Sequence, residues 1–297
     1  MHSLRLNNIF KTYPDGTQAL SDVSLTFHTG MVGLLGPNGA GKSSLMRTIA
    51  CLQLPDSGDV LFTLDNHTVN VIEQPEFMRK ALGYLPQSFG VYPNMSCLAL
   101  LKHLAVLKGL SAEQQEEQIP ELLALTNLTD VARKSVSTFS GGMRQRFGIA
   151  QALLGDPSII IMDEPTAGLD PQEREKFHDM LVTISQQKLV ILSTHIVEDV
   201  ENLCSHVTLL FDGKISASDS VPTLLKTLQG KVWQQSRPHS ITLSKTYRYG
   251  QPSYRVFHDT TSVQDGSTSL HEDAVAVTPT LQDLYFLQLR QVQEATC

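Results

Sequence analysis

Residues 36–43 are Gly36-Pro37-Asn38-Gly39-Ala40-Gly41-Lys42-Ser43, a run that matches the pattern G-x-x-x-x-G-K-[ST] at every fixed position. The apolar residues 31–35 before this run predict a buried strand, and residues 43–50 after it predict a helix. A strand, a loop and a helix in this order form the context in which the pattern binds phosphate groups. The run therefore predicts an α/β fold with a nucleoside triphosphate site.

Each fixed residue of this phosphate loop has a physical reason. Gly36, Gly39 and Gly41 let the backbone turn its N–H groups toward phosphate oxygens, and the following helix adds the positive end of its dipole. Lys42 supplies a mobile charge for the β- and γ-phosphates, and Ser43 supplies a hydroxyl for Mg²⁺. A plain glycine turn with a chance lysine is the alternative, and the strand–loop–helix context argues against it.

Composition limits the possible functions. The 297 residues suffice for one large domain, or for a domain with an appendage. A net charge of −7 argues against sequence-independent binding of nucleic acid, which needs a basic surface. The four cysteines show no C-x-x-C spacing, and the first ten residues carry no signal-peptide pattern, so we expect reduced thiols in a cytosolic protein. The apolar residues 97–110 are fewer than the roughly 20 of a spanning helix, so a membrane role would need a partner chain.

The remaining patterns predict a main domain over residues 1–230. Short alternating segments in residues 4–27 predict an antiparallel β layer, and helical periodicity in residues 88–157 predicts an inserted helical subdomain. The aliphatic runs 158–162 and 189–192 are typical of parallel strands that are covered on both faces. These features together predict a parallel core sheet flanked by the β layer and the helical insertion.

Residues 207–215 predict a hairpin around Asp212-Gly213 that closes the main domain. Residues 231–297 then predict a small separate α+β accessory domain. Its last helix begins with capping-box-like spacing at Thr280 and Asp283 and presents an apolar face. Capping of the core, support of a homodimer and regulation all remain possible roles, and the apolar face favours dimer support.

Two carboxylates, Asp163 and Glu164, follow the apolar residues 159–162. They lie at the carboxyl end of a predicted strand, where ligand sites open in doubly wound sheets. Asp163 is placed to hold Mg²⁺, and Glu164 is placed to orient or deprotonate the water that attacks the γ-phosphate. A solvated pair of carboxylates in a turn is the alternative, which the nearby phosphate loop disfavours.

A second glycine-rich helix start lies at Ser140-Gly141-Gly142. Ser140 is predicted to cap the helix, and the glycines expose backbone N–H groups toward an anion. One chain cannot easily direct both this helix terminus and the phosphate loop at one nucleotide.

The phosphate loop, the Ser-Gly-Gly helix and the Asp-Glu strand, in this order, resemble the ATP-binding subunits of ABC transporters over residues 3–226. The resemblance implies a P-loop NTPase fold, ATP and Mg²⁺ as cofactors, and ATP hydrolysis. In that family two nucleotide domains pair head to tail, and the Ser-Gly-Gly signature of one closes over the ATP held by the other. The resemblance also implies an integral-membrane permease as a separate chain, and peripheral attachment through it to the cytoplasmic face of a bacterial membrane.

The family pattern implies further roles: Tyr13 would stack on adenine, Gln87 would contact Mg²⁺ and the permease, Asp170 would lie in the D-loop, and His195 would contact the γ-phosphate. Alone, a loop Tyr or Gln is commonly surface filler, and a His after a strand is as readily structural as functional, but their register with three motifs favours functional roles. Residues 89–93 would line the groove for a permease helix.

The predicted catalytic residues are Glu164, His195 and Gln87. The predicted Mg²⁺ ligands are Ser43, Gln87 and Asp163. The predicted nucleotide contacts are Tyr13, Gly36, Pro37, Asn38, Gly39, Ala40, Gly41, Lys42, Ser43, Ser44, Ser140, Gly141, Gly142 and Asp170.

The signature departs from the commonest family string, because Phe139 and Met143 flank Ser140 and the two glycines. With residues 164–171 and 280–285, this string resembles bacterial ABC-2-type exporters, which include multidrug, antibiotic-resistance and bacteriocin-immunity systems. A soluble ABC ATPase of DNA repair, translation or iron–sulfur assembly is an alternative that the acidic balance and the single nucleotide domain disfavour. A protein that binds ATP only as a structural switch is a third alternative, which the predicted catalytic residues disfavour.

Overall fold

Strands and helices alternate along most of the chain, as the sequence pattern predicts. The computed structural model describes residues 2–90, 92, 94–166, 169–259 and 270–296. The strands within these ranges are β1 (Ser3–Thr12), β2 (Gln18–His28), β3 (Gly30–Leu35), β4 (Ser57–Leu64), β5 (His67–Asn70), β6 (Leu82–Leu85), β7 (Ile159–Asp163), β8 (Leu189–Thr194), β9 (His206–Phe211), β10 (Lys214–Ser220), β11 (Val232–Gln235), β12 (Thr242–Arg248), β13 (Gln251–Phe257) and β14 (Val275–Ala276). The α-helices are α1 (Lys42–Ile49), α2 (Pro75–Ala81), α3 (Cys97–Leu107), α4 (Ala112–Leu125), α5 (Gly141–Leu153), α6 (Pro171–Ser185), α7 (Val197–Leu203), α8 (Val221–Lys226) and α9 (Leu281–Thr296).

The apolar runs around the phosphate loop form a six-stranded sheet in the order β10-β9-β3-β8-β7-β6. Neighbouring strands from β9 to β6 pair in parallel, and β10 is antiparallel to β9. Every residue of β7 and β8 is buried, and alternate residues of each strand belong to two different apolar clusters. Both faces of the sheet are therefore covered, which is why these strands are apolar throughout. The carboxyl ends of the parallel strands meet at one edge, where the phosphate loop lies.

The predicted antiparallel layer is a second sheet, in the order β2-β1-β4-β5. Its inward residues Leu6 and Phe62 share an apolar cluster with Leu45 and Ile49 of α1. This packing holds α1 in place, and with it the helix N-terminus that follows the phosphate loop.

The predicted hairpin is β9–β10, and its turn residues Asp212 and Gly213 have φ of 45° and 73°. These left-handed conformations suit an Asp-Gly turn. The helices α3, α4 and α5 lie between β6 and β7, which are neighbours in the sheet. The helical insertion is therefore the connection between two adjacent parallel strands.

The accessory segment forms a sheet in the order β12-β13-β11-β14, and α9 follows it. The expected capping box is present, because the Asp283 carboxylate accepts from the Thr280 backbone N–H at 2.8 Å and the Thr280 hydroxyl accepts from the Asp283 N–H at 3.4 Å. The apolar face of α9 packs on its own chain: Leu281 and Leu284 are buried in a cluster that also contains Val200 of α7. This face is therefore not available to a second subunit, which removes the sequence argument for dimer support.

In the described ranges, no helix combines the length and the apolar character that crossing a bilayer requires. The expected reduced thiols are found at Cys51, Cys97 and Cys204, and Cys297 lies outside the described residues.

Candidate nucleotide site

The phosphate loop needs its glycines for two different reasons. Gly39 and Gly41 have φ of +84° and +103°, a conformation that side chains disfavour. A Cβ on Gly36 would lie 2.2 Å from the Leu210 carbonyl oxygen, and one on Gly41 would lie 2.3 Å from the Ala19 carbonyl oxygen. Backbone shape and the close approach of neighbouring strands therefore both exclude larger residues.

Lys42 folds back over this loop. Its Nζ donates to the carbonyl oxygens of Gly36 at 2.7 Å and Pro37 at 2.9 Å, and the residue is 7% exposed. Burial lowers the pKa of Lys42, while the charges of Glu164 and Asp163 oppose that shift. A phosphate would offer Lys42 a charged acceptor in place of two carbonyls, and charge-assisted hydrogen bonds are the stronger ones.

Ser43 and Asp163 bring two hard oxygen donors together. The Ser43 hydroxyl donates to Oδ2 of Asp163 at 3.1 Å, which joins the first turn of α1 to the end of β7. Asp163 is 6% exposed; burial raises the pKa of its carboxyl group, and the bond from Ser43 opposes that shift. Because a cation would offset the cost of this buried charge, and because Mg²⁺ prefers such oxygens, the pair fits the predicted Mg²⁺ ligands.

Both carboxylate oxygens of Glu164 are engaged. Oε1 lies 2.9 Å from Nδ1 of His195, and Oε2 accepts from Nε2 of Gln87 at 3.2 Å. The Glu164 backbone has φ of 49°, and its N–H donates to the Ser193 carbonyl at 2.8 Å. A left-handed non-glycine residue costs free energy and is typical of functional sites. The three predicted catalytic residues therefore meet at one carboxylate.

Apart from His195, which contacts Glu164 from outside the lining, these side chains open onto a cleft of about 510 Å³. Its lining residues are Tyr13, Thr17, Ala19, Asn38, Gly39, Gly41, Lys42, Ser43, Ser44, Gln87, Asp163 and Glu164. Sequence reasoning missed Thr17 and Ala19, which carry no motif and whose only signal is their place just beyond Tyr13.

Tyr13 is held at its hydroxyl end. Its Oη lies 2.9 Å from the Ser44 hydroxyl and donates to Oε1 of Gln53 at 3.1 Å. Gln53 in turn donates to the Ser44 carbonyl at 2.9 Å and to the Thr48 hydroxyl at 3.1 Å. Sequence reasoning also missed Gln53. The network fixes the ring of Tyr13 at the rim of the cleft, where the stacking role stays a prediction.

The signature and D-loop residues lie outside this cleft. Ser140 is exposed and caps α5 by accepting from the Met143 N–H at 3.2 Å. Asp170 caps α6 by accepting from the Glu173 N–H at 2.8 Å. An Arg146–Glu173 ion pair joins the two helices. The chain thus presents the signature at its surface instead of placing it over its own phosphate loop.

The comparisons with known proteins identify the family. The family model described as ABC transporter matches residues 20–167. The uncharacterized ABC transporter ATP-binding protein YxlF of Bacillus subtilis is 33% identical over 268 residues, which cover 86% of this chain and 85% of that protein. The chain belongs to the ABC transporter ATP-binding proteins. It is an ABC ATPase, as the motif order predicts.

Two further matches to ABC proteins add detail. The linearmycin resistance ATP-binding protein LnrL of Bacillus subtilis is 32% identical over 76% of this chain and 72% of its own length. The dimeric structure of MJ0796, a bacterial ABC transporter cassette, matches with a TM-score of 0.64 and 29% identity over 73% of this chain and 98% of that chain. A second MJ0796 structure is a post-hydrolysis state bound to ADP and Pi. The matches confirm the family and the fold, while the roles of single residues stay predictions.

Proposed function

We propose that this chain hydrolyses ATP to drive export through a separate transmembrane subunit at the cytoplasmic face of a bacterial membrane. The observation that carries the proposal is Glu164, held between Gln87 and His195 at the edge of a cleft that also contains Lys42 and Asp163. The resistance function named for LnrL supports the direction of transport.

Hydrolysis follows from the positions of these groups. The loop N–H groups and Lys42 would bind the phosphates, and Ser43, Asp163 and Gln87 would hold Mg²⁺. When bound, Mg²⁺ neutralises charge on the β- and γ-phosphates. Glu164 accepts a proton from the water that attacks the γ-phosphorus, while the bond from that phosphorus to the bridging oxygen breaks and ADP leaves. Each Glu164 oxygen has a further lone pair for this water beside its contact with Gln87 or His195.

The exposed signature indicates a head-to-tail homodimer. Ser140 and Gly141 face solvent, and a Cβ on Gly141 would meet no atom within 4 Å. A helix N-terminus with open space in front of it can accept the ATP of a second copy. The dimeric cassette of the related MJ0796 supports this arrangement.

The segment after Gln87 supplies the surface for the permease. Phe89 packs on Phe147 of α5 with ring centroids 6.2 Å apart, and Tyr92 is half exposed beside His103. Val91 and Pro93 of the predicted groove lie outside the described residues. Because Gln87 is bonded to Glu164, movement of this surface reaches the catalytic base through one hydrogen bond.

The decisive variant is Glu164→Gln, with Glu121→Gln on the exposed face of α4 as the matched control. Loss of the base should lower the rate of ATP hydrolysis at least about 100-fold and leave the affinity for MgATP unchanged. The control should retain both. Hydrolysis by Glu164→Gln at the wild-type rate would show that Glu164 is not the base.

The transport assignment is tested by tagging the chain in its own cell, solubilising membranes gently and identifying what co-purifies. A polytopic membrane protein in stoichiometric yield is the expected result. Recovery only in a soluble complex with nucleic acid or ribosomes would overturn the transport assignment and leave the ATPase mechanism intact.

A further inference from the structure

A buried carboxylate outside the nucleotide cleft contacts three segments: the one that follows Glu164, the one that follows His195, and helix α6. Asp199 of α7 is 1% exposed, and its Oδ2 accepts from the Thr166 hydroxyl at 2.5 Å. Its Oδ1 faces two nitrogens of α6, lying 3.3 Å from Nε2 of His178 and 3.9 Å from Nε of Arg174. None of these four residues lines the cleft, and the hydrolysis scheme does not use them.

The first contact, between Thr166 and Asp199, joins the segment that carries Glu164 to the segment that carries His195. Thr166 is two residues beyond Glu164, and Asp199 lies in the first turn of α7, four residues beyond His195. Thr166 is also fully buried, so its hydroxyl and the Asp199 carboxylate each need the other as a partner. The bond is therefore a second link between the two backbones that carry Glu164 and His195, in addition to the bond from the Glu164 N–H to the Ser193 carbonyl.

The second contact joins the same carboxylate to the D-loop helix. Asp170 caps α6, and Arg174 and His178 lie on successive turns of that helix. Oδ1 of Asp199 is buried but makes no hydrogen bond of ordinary geometry to either nitrogen. The contact with α6 is thus electrostatic and geometrically looser than the bond to Thr166.

We propose that Asp199 is a positioning residue for hydrolysis. It fixes the positions of the Glu164 segment, the His195 segment and helix α6 relative to one another. This inference rests on the roles proposed above for Glu164 and His195. Asp199 acts through the backbone segments that carry them and does not touch nucleotide. Misplacement of reacting groups by about 1 Å can cost about 100-fold in rate, so a single buried anchor has a measurable effect.

The hydrogen bond is tested by Thr166→Val and Asp199→Ala, alone and together. Each variant should lower kcat about 10- to 100-fold while KM for ATP stays within about threefold of wild type. The double variant should lose no more than the worse single variant, because the two residues act as one unit. Thr166→Ser keeps the hydroxyl and should recover most of the rate.

The charge is tested by Asp199→Asn, which keeps an oxygen acceptor for Thr166 but removes the negative charge facing α6. The kcat of Asp199→Asn should lie between the kcat of the wild type and that of Asp199→Ala. Asp283→Asn is the matched control, because Asp283 is also 1% exposed and accepts from a threonine hydroxyl and an arginine. The control should lower the melting temperature and leave kcat unchanged.

Two results would overturn the inference: wild-type kcat in both Thr166→Val and Asp199→Asn, or an equal loss of kcat in Thr166→Ser and Thr166→Val. The Thr166 variants keep the test valid even where Asp199→Ala does not fold. Glu164→Gln is assayed in parallel. Wild-type kcat in both Thr166→Val and Asp199→Asn, beside an inactive Glu164→Gln, refutes only the positioning role, whereas an active Glu164→Gln refutes the assignment of the base.

Discussion

The phosphate loop and the signature are both glycine-rich helix starts, but their surroundings in the fold differ. At the start of α1, Lys42 is nearly buried and Ser43 is bonded to Asp163. At the start of α5, Ser140 and Gly141 are exposed, and a Cβ on Gly141 would meet no atom within 4 Å. The same local chemistry is therefore surrounded by the predicted Mg²⁺-binding and catalytic groups at one place and exposed to solvent at the other. In the proposed head-to-tail dimer, each chain would supply the phosphate-loop half of one nucleotide site and the signature half of the other.

The two helix starts also differ in how they use their backbone N–H groups. Gly41 caps α1 with no side-chain hydrogen bond, so the first-turn N–H groups remain for a phosphate. Ser140 caps α5 and takes the Met143 N–H with its own hydroxyl. We therefore expect the N-terminus of α1 to bind nucleotide in a single chain. The N-terminus of α5 should contact nucleotide only when a second copy brings the ATP that it holds.

Lys42→Ala should have the broadest effect, because it should weaken both the binding and the hydrolysis of ATP at the phosphate-loop half. A charge-assisted hydrogen bond contributes about 1.5–3 kcal/mol, so ATP should bind roughly 10- to 150-fold more weakly, and hydrolysis should fall with it. Titration with a fluorescent ATP analogue measures the affinity. Lys188→Ala is the control, because Lys188 also donates to a carbonyl, that of Pro157 at 2.9 Å. Equal affinity in Lys42→Ala and Lys188→Ala would contradict the assignment.

Gly141→Asp should break the signature half alone. The added side chain meets no atom of its own chain and suits a helix N-terminus, so folding and ATP affinity should be unchanged. Its charge would face the phosphates of the partner's ATP. Like charges brought together cost several kcal/mol, so hydrolysis should fall at least about 100-fold.

Mixing Gly141→Asp with Lys42→Ala sharpens the comparison further. In a head-to-tail dimer of the two variants, one site carries both substitutions and the other carries neither, so the mixture should regain hydrolysis that each variant alone lacks. If the mixture exchanges subunits but hydrolyses ATP no faster than either variant alone, the site is not formed by the phosphate loop of one chain and the signature of the other.

The smallest expected effect is a pH dependence of the protein's stability, which arises from Asp163 beside the phosphate loop. Burial raises the pKa of Asp163, so the folded protein takes up this proton at a higher pH than the unfolded chain does. The charged carboxylate therefore lowers stability at neutral pH, and that cost disappears as the pH falls through the raised pKa. Asp163→Asn should raise the melting temperature of the nucleotide-free protein at neutral pH, by an amount that shrinks toward acid pH. A difference that stays constant with pH would contradict this origin.

Local sequence patterns predicted most of the elements that build the site. The phosphate loop, the strand before Asp163, the cap at Ser140 and the turn at Asp212 depend on residues within a few positions of each other, and short-range sterics decide them. Thr17, Ala19 and Gln53 could not be predicted, because they approach the cleft only through packing of the β layer on α1.

The apolar face of α9 illustrates the same limit. Its periodicity predicts a buried face but not the surface that buries it, and by itself it favours a second subunit. Tertiary packing places Leu281 and Leu284 against the chain's own α7 region instead. Periodicity is a property of one helix, whereas its partner is chosen by the whole fold.

The sequence by itself determined the family, the ATP chemistry and the local shape of both glycine-rich helix starts, because each depends on residues that are adjacent in the chain. Only the tertiary structure decided which helix start is enclosed and which is open, that Gln87 and His195 meet at Glu164, and that Asp199 joins three segments. These relations connect residues more than 20 positions apart. Packing of the sheet and its covering helices brings such distant residues together, and no local rule of sequence encodes it.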